Sequence, residues 1–246
     1  MVAYPRSRRS DQDMRISSII DLSLVDVPKI PVTVIFTAGC NFDCPYCQNA
    51  EIIPLDAGRE MSPSEVAAET ELRAGLTDGY CITGGEPTLQ KDLPELLRLL
   101  KAKKEKHINL NTQGSVPSVL ERSLPFLDSV WFDIKTIPED YTRVVRTRSN
   151  PWSHVRESID MIMDSGVLFW PRTTYVGGLM TPNHIEDIAS FLSDIGFRGE
   201  YVVQNYIESA GVRPDQVKGF TQVPKEELDR VASNAPSGIT LRLEWR

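Results

Sequence analysis

Short apolar runs alternate with amphipathic stretches along most of this chain. Between the runs, apolar residues recur at helical spacing, as at Leu93, Leu96 and Leu97. A strand–helix order that repeats in this way predicts a parallel sheet with right-handed crossovers. Six such units are fewer than the eight of a closed (β/α)8 barrel, so the predicted fold class is α/β, an open partial (β/α)6 barrel. The six runs predicted to be buried strands are 32–36, 80–83, 108–111, 129–134, 168–176 and 201–207.

Local signals mark where several predicted elements begin and end. Ser62 is suited to cap a helix that begins at Pro63, and Glu65 completes a capping box. Ahead of the first strand, residues 16–27 are predicted to form a small hairpin, and a further helix and strand are predicted near the carboxyl terminus. The predicted division of the chain is an N-terminal arm with the hairpin at 1–30, the partial barrel at 31–210, and a C-terminal helix and strand packing on it at 211–246.

Three of the four cysteines follow the first predicted strand within eight residues. Cys40, Cys44 and Cys47 have the spacing C-x3-C-x2-C. They are predicted to lie on the loop that leaves the carboxyl end of that strand, where open α/β sheets and barrels build their sites. Three thiolates on one short loop are suited to hold three corners of a [4Fe–4S] cluster. Such clusters normally take four cysteine ligands, so one iron is left open to a small molecule.

Other uses of the cysteines fit the sequence less well. A structural zinc site needs four ligands, whereas the chain has a single C-x2-C pair and three histidines that form no pair. A disulfide scaffold does not suit a chain of this length without a secretion signal. The fourth cysteine, Cys81, lies within an apolar run, and there we predict a buried free thiol that packs as a small hydrophobic residue.

Composition and charge limit the classes of function. The 246-residue chain has 41% hydrophobic and 25% charged residues, as is ordinary for a soluble globular protein. No stretch approaches the roughly 18 apolar residues of a membrane span. The first residues lack the apolar part of a signal peptide, so a cytoplasmic protein is predicted. A net charge of −7 argues against a dedicated nucleic-acid binder. Two arginine groups are candidates for contact with a phosphate or an acidic partner, or else form a solvated charged face: Arg6, Arg8 and Arg9, and Arg143, Arg146 and Arg148.

The cysteine motif resembles a known family. With Tyr46 as the aromatic residue before the last cysteine, the pattern C-x3-C-x-aromatic-C resembles the signature of the radical S-adenosylmethionine (SAM) enzymes. The resemblance implies that Cys40, Cys44 and Cys47 bind a [4Fe–4S] cluster whose open iron chelates the amino and carboxylate groups of SAM. It further implies cleavage of SAM to methionine and a 5′-deoxyadenosyl radical, which abstracts a hydrogen atom from the substrate. The open partial barrel is also the fold of this family.

Two motifs at the ends of the next predicted strands resemble SAM-binding motifs of that family. Gly84 and Gly85 allow close approach to the backbone, and the adjacent Glu86 carboxylate is suited to accept hydrogen bonds from an ammonium group. Gly-Gly-Glu-Pro resembles the family motif that holds the amino group of SAM. Asn111 and Thr112 belong to a stretch similar to the family's Asn-Thr-x-Gly, which faces the ribose and carboxylate of SAM. An Asx-type turn closed by glycine is the alternative for this stretch.

Charged residues lie at the end of the fourth predicted strand and within the fifth. Asp133 and Lys135 lie on one face because side chains alternate along a strand. The resemblance to glycyl-radical activating enzymes places such an Asp-x-Lys pair beside SAM. Arg172 is suited to pair with the SAM carboxylate, and a structural ion pair is the alternative. By the same resemblance Tyr46 is expected near the adenine, which is also expected to pass the glycine pair at 177–178.

The chain compares best with one subgroup. Over roughly residues 20 to 207 it resembles the activating proteins of anaerobic ribonucleoside-triphosphate reductase and, more loosely, pyruvate formate-lyase activating enzymes. The resemblance implies a glycyl-radical enzyme as partner, most closely anaerobic (class III) ribonucleotide reductase, and an electron donor such as flavodoxin or ferredoxin. The chain departs from the family at Gln48, where many members have histidine, and at 204–206, where a Pro-Tyr-His type run is replaced. It also lacks a second cysteine cluster.

Two other classes of function stay open. One is a radical SAM enzyme that acts on a small metabolite or on RNA, although the acidic charge balance weighs against RNA. The other is an iron–sulfur carrier or metal sensor without SAM chemistry. A carrier would need no SAM pocket, so the Gly-Gly-Glu-Pro and Asp-x-Lys motifs at strand ends argue against it.

Overall fold

Seven parallel strands form the greater part of one nine-stranded sheet. The computed structural model describes residues 13–71, 74–103 and 105–245. Residues 1–12, which include Arg6, Arg8 and Arg9 of the predicted arm, lie outside this part of the chain. The strands are β1 (Met14–Ser23), β2 (Val32–Thr37), β3 (Arg59–Met61), β4 (Gly79–Gly84), β5 (His107–Thr112), β6 (Ser129–Asp133), β7 (Leu168–Tyr175), β8 (Gly199–Asn205) and β9 (Ile239–Glu244).

The strand order confirms the predicted α/β class with an open parallel sheet. The order is β3-β1-β2-β4-β5-β6-β7-β8-β9, and every pair from β2 to β9 is parallel. The six predicted strands correspond to β2 and to β4 through β8. β9 is the strand predicted near the carboxyl terminus. It extends the parallel part of the sheet by pairing with β8, and the sequence did not indicate this pairing. The predicted division into three parts is tested by none of these pairings and stays a prediction.

The predicted leading hairpin is wrong. Residues 16–23 belong to one ten-residue strand, β1, which is antiparallel to β2 on one side and to β3 on the other, and residues 24–27 form no strand. Ile16 pairs with Thr37 in β2 and with Arg59 in β3. Glycine, proline and asparagine, the strongest turn formers, are all missing from β1, so nothing in the strand turns the chain back on itself.

Helices cover one face of the sheet and form the main core with it. The leucines of the predicted amphipathic helix are buried, with Leu93, Leu96 and Leu97 all 0% exposed. The predicted capping box is confirmed, since the Ser62 N–H donates to Glu65 Oε2 (2.7 Å) and the Glu65 N–H to Ser62 Oγ (3.3 Å). The helices are α1 (Pro63–Glu71), α2 (Leu93–Lys103), α3 (Pro117–Ser123), α4 (Tyr141–Val145), α5 (Trp152–Ser165), α6 (Pro182–Asp194) and α7 (Glu226–Ser233).

The opposite, concave face of the sheet is more polar. A small apolar cluster there includes Val32, Val34 and Cys81, and it confirms that Cys81 is a buried free thiol. Asn109 and Ser129 lie beside it, joined by a hydrogen bond of 2.9 Å. On this face, apolar side chains therefore lie in a small central cluster and polar side chains lie at the strand ends. Within the described residues, no helix has the length and apolar character needed to span a membrane.

Candidate active site

The carboxyl ends of the parallel strands surround one cleft with a cavity volume of about 280 Å³. Strand ends of a parallel sheet point to the same edge, which brings together motifs far apart in the sequence. All twelve predicted site residues line this cleft: Cys40, Cys44, Tyr46, Cys47, Gly84, Gly85, Glu86, Asn111, Thr112, Asp133, Lys135 and Arg172. The position of each residue is thus as expected, and their individual roles stay predictions.

The cysteine loop follows β2 and is fixed by backbone hydrogen bonds to two other segments. The Cys40 N–H donates to the Ile53 carbonyl (2.9 Å). The Asp43 N–H donates to the carbonyl of Val145, the last residue of α4 (2.9 Å). Both bonds use backbone N–H groups ahead of Cys44, so the path of this part of the loop is set independently of its thiols.

The segment that follows β8 crosses the same loop. Gln48 Nε2 donates to the Ile207 carbonyl (2.9 Å). Arg213 donates through Nη2 to the Cys44 carbonyl (3.1 Å) and forms an ion pair with Asp43. These contacts come from a stretch without a recognisable motif, and no pattern in the sequence predicts them.

The three thiols are free, and two of them differ from ordinary surface thiols. Burial raises the pKa of Cys40 to about 12 and that of Cys44 to about 11. Since the thiolate is the metal ligand, iron binding here must displace the thiol proton. Among the described residues, no three His, Cys, Asp or Glu side chains are arranged to share one metal ion. A four-iron cluster offers a separate iron to each thiolate, so these cysteines suit a cluster better than a single ion.

Gly84 and Gly85 serve close packing of the backbone as well as lining the cleft. A Cβ atom at Gly84 would lie 2.1 Å from the Thr37 carbonyl oxygen, and one at Gly85 would lie 2.1 Å from that of Gly39. Gly84 also has φ +123°, which side-chain-bearing residues rarely adopt. The glycines therefore let the end of β4 lie directly against the start of the cysteine loop. The pair at 177–178 packs against Thr221 and Gly219 and is not among the residues that line the cleft, and its contact with the adenine stays a prediction.

Glu86 is buried and holds the ends of β4 and β5 together. Its Oε1 accepts hydrogen bonds from Thr88 N (3.0 Å), Thr88 Oγ1 (2.6 Å) and Thr112 Oγ1 (2.6 Å), and its Oε2 accepts one from Gln113 N (2.9 Å). Burial raises the pKa of Glu86, and these hydrogen bonds oppose the rise. Each carboxylate oxygen has about two acceptor positions and Oε2 accepts a single hydrogen bond here, so Oε2 retains capacity for a further donor.

The stretch after β5 is arranged by the same network. The Thr112 hydroxyl donates to Glu86 and accepts from Gly114 N (3.0 Å), which forms a threonine-based turn ending at Gly114 in place of the Asx-type turn given as the alternative. Asn111 points to the concave face, where its Nδ2 donates to Thr83 Oγ1 (3.3 Å). Asn111 is thus held beside the cleft, whereas the Thr112 side chain is already committed to Glu86.

Asp133, Lys135 and Arg172 form an ionic trio in the cleft wall. Asp133 Oδ1 accepts from Arg172 Nε (2.8 Å), and its Oδ2 lies 3.2 Å from Lys135 Nζ. Each side chain is about one-fifth exposed, at 20%, 18% and 20% respectively. Burial acts to raise the pKa of Asp133, but the two cations outweigh it and hold that pKa well below its usual range. The expected ion pair at Arg172 is present, and its terminal amines remain as further donors.

Several lining residues were not predicted. Thr83 and Thr174 lie two positions from the predicted residues Gly85 and Arg172. Because side chains two positions apart on a strand lie on the same face, the sequence contained a signal for both threonines. Glu244 comes from β9 and carries no motif. Tyr206 Oη and Gln113 Oε1 are among the buried polar atoms of the wall that have no hydrogen-bond partner among the described residues. Unpaired buried polar atoms are uncommon, and a polar ligand in the cleft would satisfy them.

Comparison with known proteins identifies the family. Residues 34–192 match the family described as the Radical SAM superfamily. The chain belongs to the radical SAM superfamily. This confirms the predicted family, and the chain is an enzyme whose cofactors, as in the superfamily, are a [4Fe–4S] cluster and SAM. The donor set fits these cofactors, because three thiols, two cations and one carboxylate with spare acceptor capacity line the same cleft.

Two curated relatives of this radical SAM enzyme align over most of its length. A putative glycyl-radical enzyme activating enzyme of Methanocaldococcus jannaschii is 31% identical over 238 residues, which cover 92% of this chain and 95% of that protein. A pyruvate formate-lyase-activating enzyme of Clostridium pasteurianum is 27% identical over 223 residues, which cover 87% of each. Both are named as activating enzymes, the subgroup that the motifs indicate.

Solved structures share the fold at lower identity. QueE from Escherichia coli has a TM-score of 0.57 at 16% identity, and the match covers 94% of both chains. SuiB from Streptococcus suis, bound to S-adenosylmethionine, has a TM-score of 0.64 at 16% identity. That match covers 86% of this chain and 49% of SuiB, so the chain spans about half the length of that protein. These likenesses confirm the open α/β barrel.

Proposed function

We propose that this radical SAM enzyme installs a glycyl radical on a partner enzyme, most closely an anaerobic ribonucleotide reductase. The observation that carries the proposal is the meeting of the cysteine loop with four strand-end motifs in one cleft. The full-length similarity to a putative glycyl-radical enzyme activating enzyme supports the class of reaction. The reductase as partner is supported by the motif run at 28–49, 82–90 and 133–135, which resembles the activating proteins of that reductase.

Different residues of the cleft would bind the two cofactors. Cys40, Cys44 and Cys47 would hold three irons of the cluster and leave the fourth open to SAM. When both groups are bound, the cluster would supply the electron for reductive cleavage of SAM. The reaction requires no general acid or base from the chain. Its contribution is to orient the cofactor and substrate and to keep water out of the cleft.

The charges of the cleft suit the amino-acid end of SAM. Glu86 Oε2 has acceptor capacity for the ammonium group. Lys135 and Arg172 are cations on the opposite part of the wall, suited to the carboxylate. Asp133 lies between them and fixes both, because it pairs with each cation through a different oxygen. Tyr46 and Asn111 line the remaining wall and are assigned to the adenosine.

Anaerobic assays with two cysteine variants test the radical chemistry. The cluster is reconstituted and reduced, SAM is added, and 5′-deoxyadenosine is quantified. We expect Cys44→Ala to reduce product to background. Cys81→Ser is the matched control, since Cys81 is buried outside the cleft and serine keeps a donor toward Asn109. Loss of product in both variants, or in neither, would overturn the assignment of the three cysteines.

A second experiment tests the partner. The reduced enzyme, SAM and a purified anaerobic ribonucleotide reductase are mixed, and the glycyl radical is recorded by electron paramagnetic resonance. We expect the signal on the reductase, and we expect it to disappear when the radical-bearing glycine of the reductase is replaced by alanine. SAM cleavage that modifies a small molecule while the reductase stays without signal would favour the alternative class, a radical SAM enzyme acting on a metabolite.

A further inference from the structure

An electropositive surface lies beside the cysteine loop. Arg143 in α4, and Arg146 and Arg148 directly after it, are all exposed, and no acidic residue lies between positions 141 and 148. We call these three residues the arginine surface. The chain as a whole has 34 acidic and 27 basic residues, so the arginine surface is positively charged on a protein whose net charge is negative. None of the three arginines lines the cleft.

The arginine surface rests directly on the segment between the first two cluster cysteines. The Asp43 N–H donates to the carbonyl of Val145, the residue before Arg146 (2.9 Å). The ring of Phe42 meets the ring of Tyr141, the first residue of α4, edge to face with centroids 6.5 Å apart. A protein bound on α4 would therefore be separated from the cysteine loop only by one short helix.

Much of the positive charge on this surface is uncompensated. Arg143 is paired with Asp140 and also donates to the Leu179 carbonyl (3.0 Å). Arg146 donates to a neutral group, Gln216 Oε1 (2.6 Å). Within the part of the chain that the structure describes, no ion pair is formed by Arg146 or by Arg148. Two full positive charges are thus presented to solvent beside one ion pair.

The backbone at Arg146 is unfavourable for an arginine. Arg146 has φ +51° at the end of α4, one of two non-glycine residues with positive φ in the described ranges. Glycine is the residue that this helix-ending conformation favours, because a Cβ atom is strained there. Strained residues that persist cluster at functional sites. Glycine would be more favourable for folding at this position, which indicates that the arginine side chain has a function.

We propose that the arginine surface docks the protein that reduces the cluster, and that this donor is a small one-electron carrier with an acidic surface. The inference rests on the proposed function and extends it to the source of the electron. One electron leaves the reduced carrier and enters the oxidised cluster, with no bond made or broken. Complementary charge steers such encounters and raises association rates about 10- to 1000-fold at low salt.

Charge reversal tests the docking surface. The holoenzyme and a double variant, Arg146→Glu with Arg148→Glu, are mixed with reduced flavodoxin as the acidic probe, and cluster reduction is followed by stopped-flow absorbance. We expect the second-order rate to fall at least about tenfold at low salt, and the difference to shrink as salt is raised. Arg122→Glu with Arg230→Glu, which changes net charge equally at exposed positions elsewhere, is expected to keep the rate near that of the native enzyme.

Dithionite separates this proposal from the proposed function. A small reductant needs no docking site, so dithionite-driven reduction and glycyl-radical formation are expected to be equal in the native and reversed proteins. A reversed protein that flavodoxin reduces as fast as the native one would overturn the docking proposal. Absence of a glycyl radical even with dithionite would instead overturn the proposed function.

Arg146→Gly provides a variant in which folding and docking change in opposite directions. Glycine relieves the positive φ, so we expect an unfolding temperature equal to or above that of the native protein. It also removes one exposed charge, so we expect slower reduction by flavodoxin and unchanged reduction by dithionite. A variant that is less stable and is reduced at the native rate would show that Arg146 is kept for folding alone.

Discussion

Two of the carboxylates that line the cleft, Glu86 and Asp133, are stabilised in opposite ways. Glu86 is 1% exposed and accepts four hydrogen bonds from uncharged donors, two of them backbone N–H groups. Asp133 is 20% exposed and is stabilised by two cations, Arg172 and Lys135. The pKa of Glu86 is raised by burial, whereas the pKa of Asp133 is lowered because its cations outweigh burial.

The difference indicates that Glu86 is positioned by the fold itself, whereas the groups around Asp133 are able to adjust to a ligand. The donors to Glu86 come from the ends of two neighbouring strands, so its hydrogen bonds form as those strands pair. The cations around Asp133 have further donors and partial exposure to the cleft, so they are able to turn toward a charged ligand. Glu86 is therefore fixed before any cofactor arrives, while the trio around Asp133 is suited to respond to one.

Glu86→Gln is expected to have the largest effect on folding. The glutamine amide would place an N–H₂ group against donors, leaving buried groups unpaired and lowering the free energy of unfolding by about 2–3 kcal/mol. The measurement is urea unfolding of the protein without cofactors, so that SAM binding does not enter. Native stability in this variant would show that the four hydrogen bonds do not hold the strand ends, and the comparison with Asp133 would fail.

Lys135→Met is expected to change ligand binding more than folding. Asp133 keeps Arg172 as its partner, and the site is partly solvated, so the free energy of unfolding is expected to change by less than about 1 kcal/mol. Loss of a cation for the SAM carboxylate is expected to raise the Kd of the reconstituted enzyme for SAM about tenfold, equivalent to about 1.4 kcal/mol. Equilibrium binding by calorimetry measures it.

Lys101→Met is the matched control for that prediction. Lys101 also pairs with an aspartate, Asp128, at 2.7 Å, but it lies on α2 outside the cleft. We expect this variant to bind SAM as the native enzyme does. Equal weakening of SAM binding in both variants would mean that breaking any such pair loosens the enzyme, and that the trio has no special relation to the ligand.

The sequence predicted which residues line the cleft because their positions follow from local patterns along the chain. Apolar runs located the strands, and polar residues at the carboxyl ends of those strands necessarily meet at one edge of a parallel sheet. Asp133 and Lys135 were placed on one face by alternation alone. The same rules could not distinguish the two carboxylates, because the donors around Glu86 depend on how two strand ends pack and on close approach at Gly84 and Gly85.

Contacts between distant and irregular segments were beyond prediction. Arg213 binds the carbonyl of Cys44 across 169 positions, from a stretch that has neither helical nor strand periodicity. β9 has the alternation of a half-buried strand, but nothing local indicates that its neighbour is β8. The single strand β1 was mistaken for a hairpin because its pattern does not reveal that it has a partner on each side. Pairing of this kind is decided by the tertiary structure.

Thr112→Val is expected to have the smallest effect on the free energy of unfolding. It tests how much one of the four hydrogen bonds to Glu86 contributes. Valine keeps the shape but removes one of four donors to the carboxylate and the acceptor of Gly114 N, so we expect a loss of about 1 kcal/mol of unfolding free energy. Thr112→Ser retains the hydroxyl and is expected to recover most of that loss in the same urea titration. If Thr112→Val were as damaging as Glu86→Gln, the backbone donors of Thr88 and Gln113 would contribute little. The carboxylate would then be held by one hydroxyl, and Glu86 would resemble the adjustable Asp133 more than a fixed part of the fold.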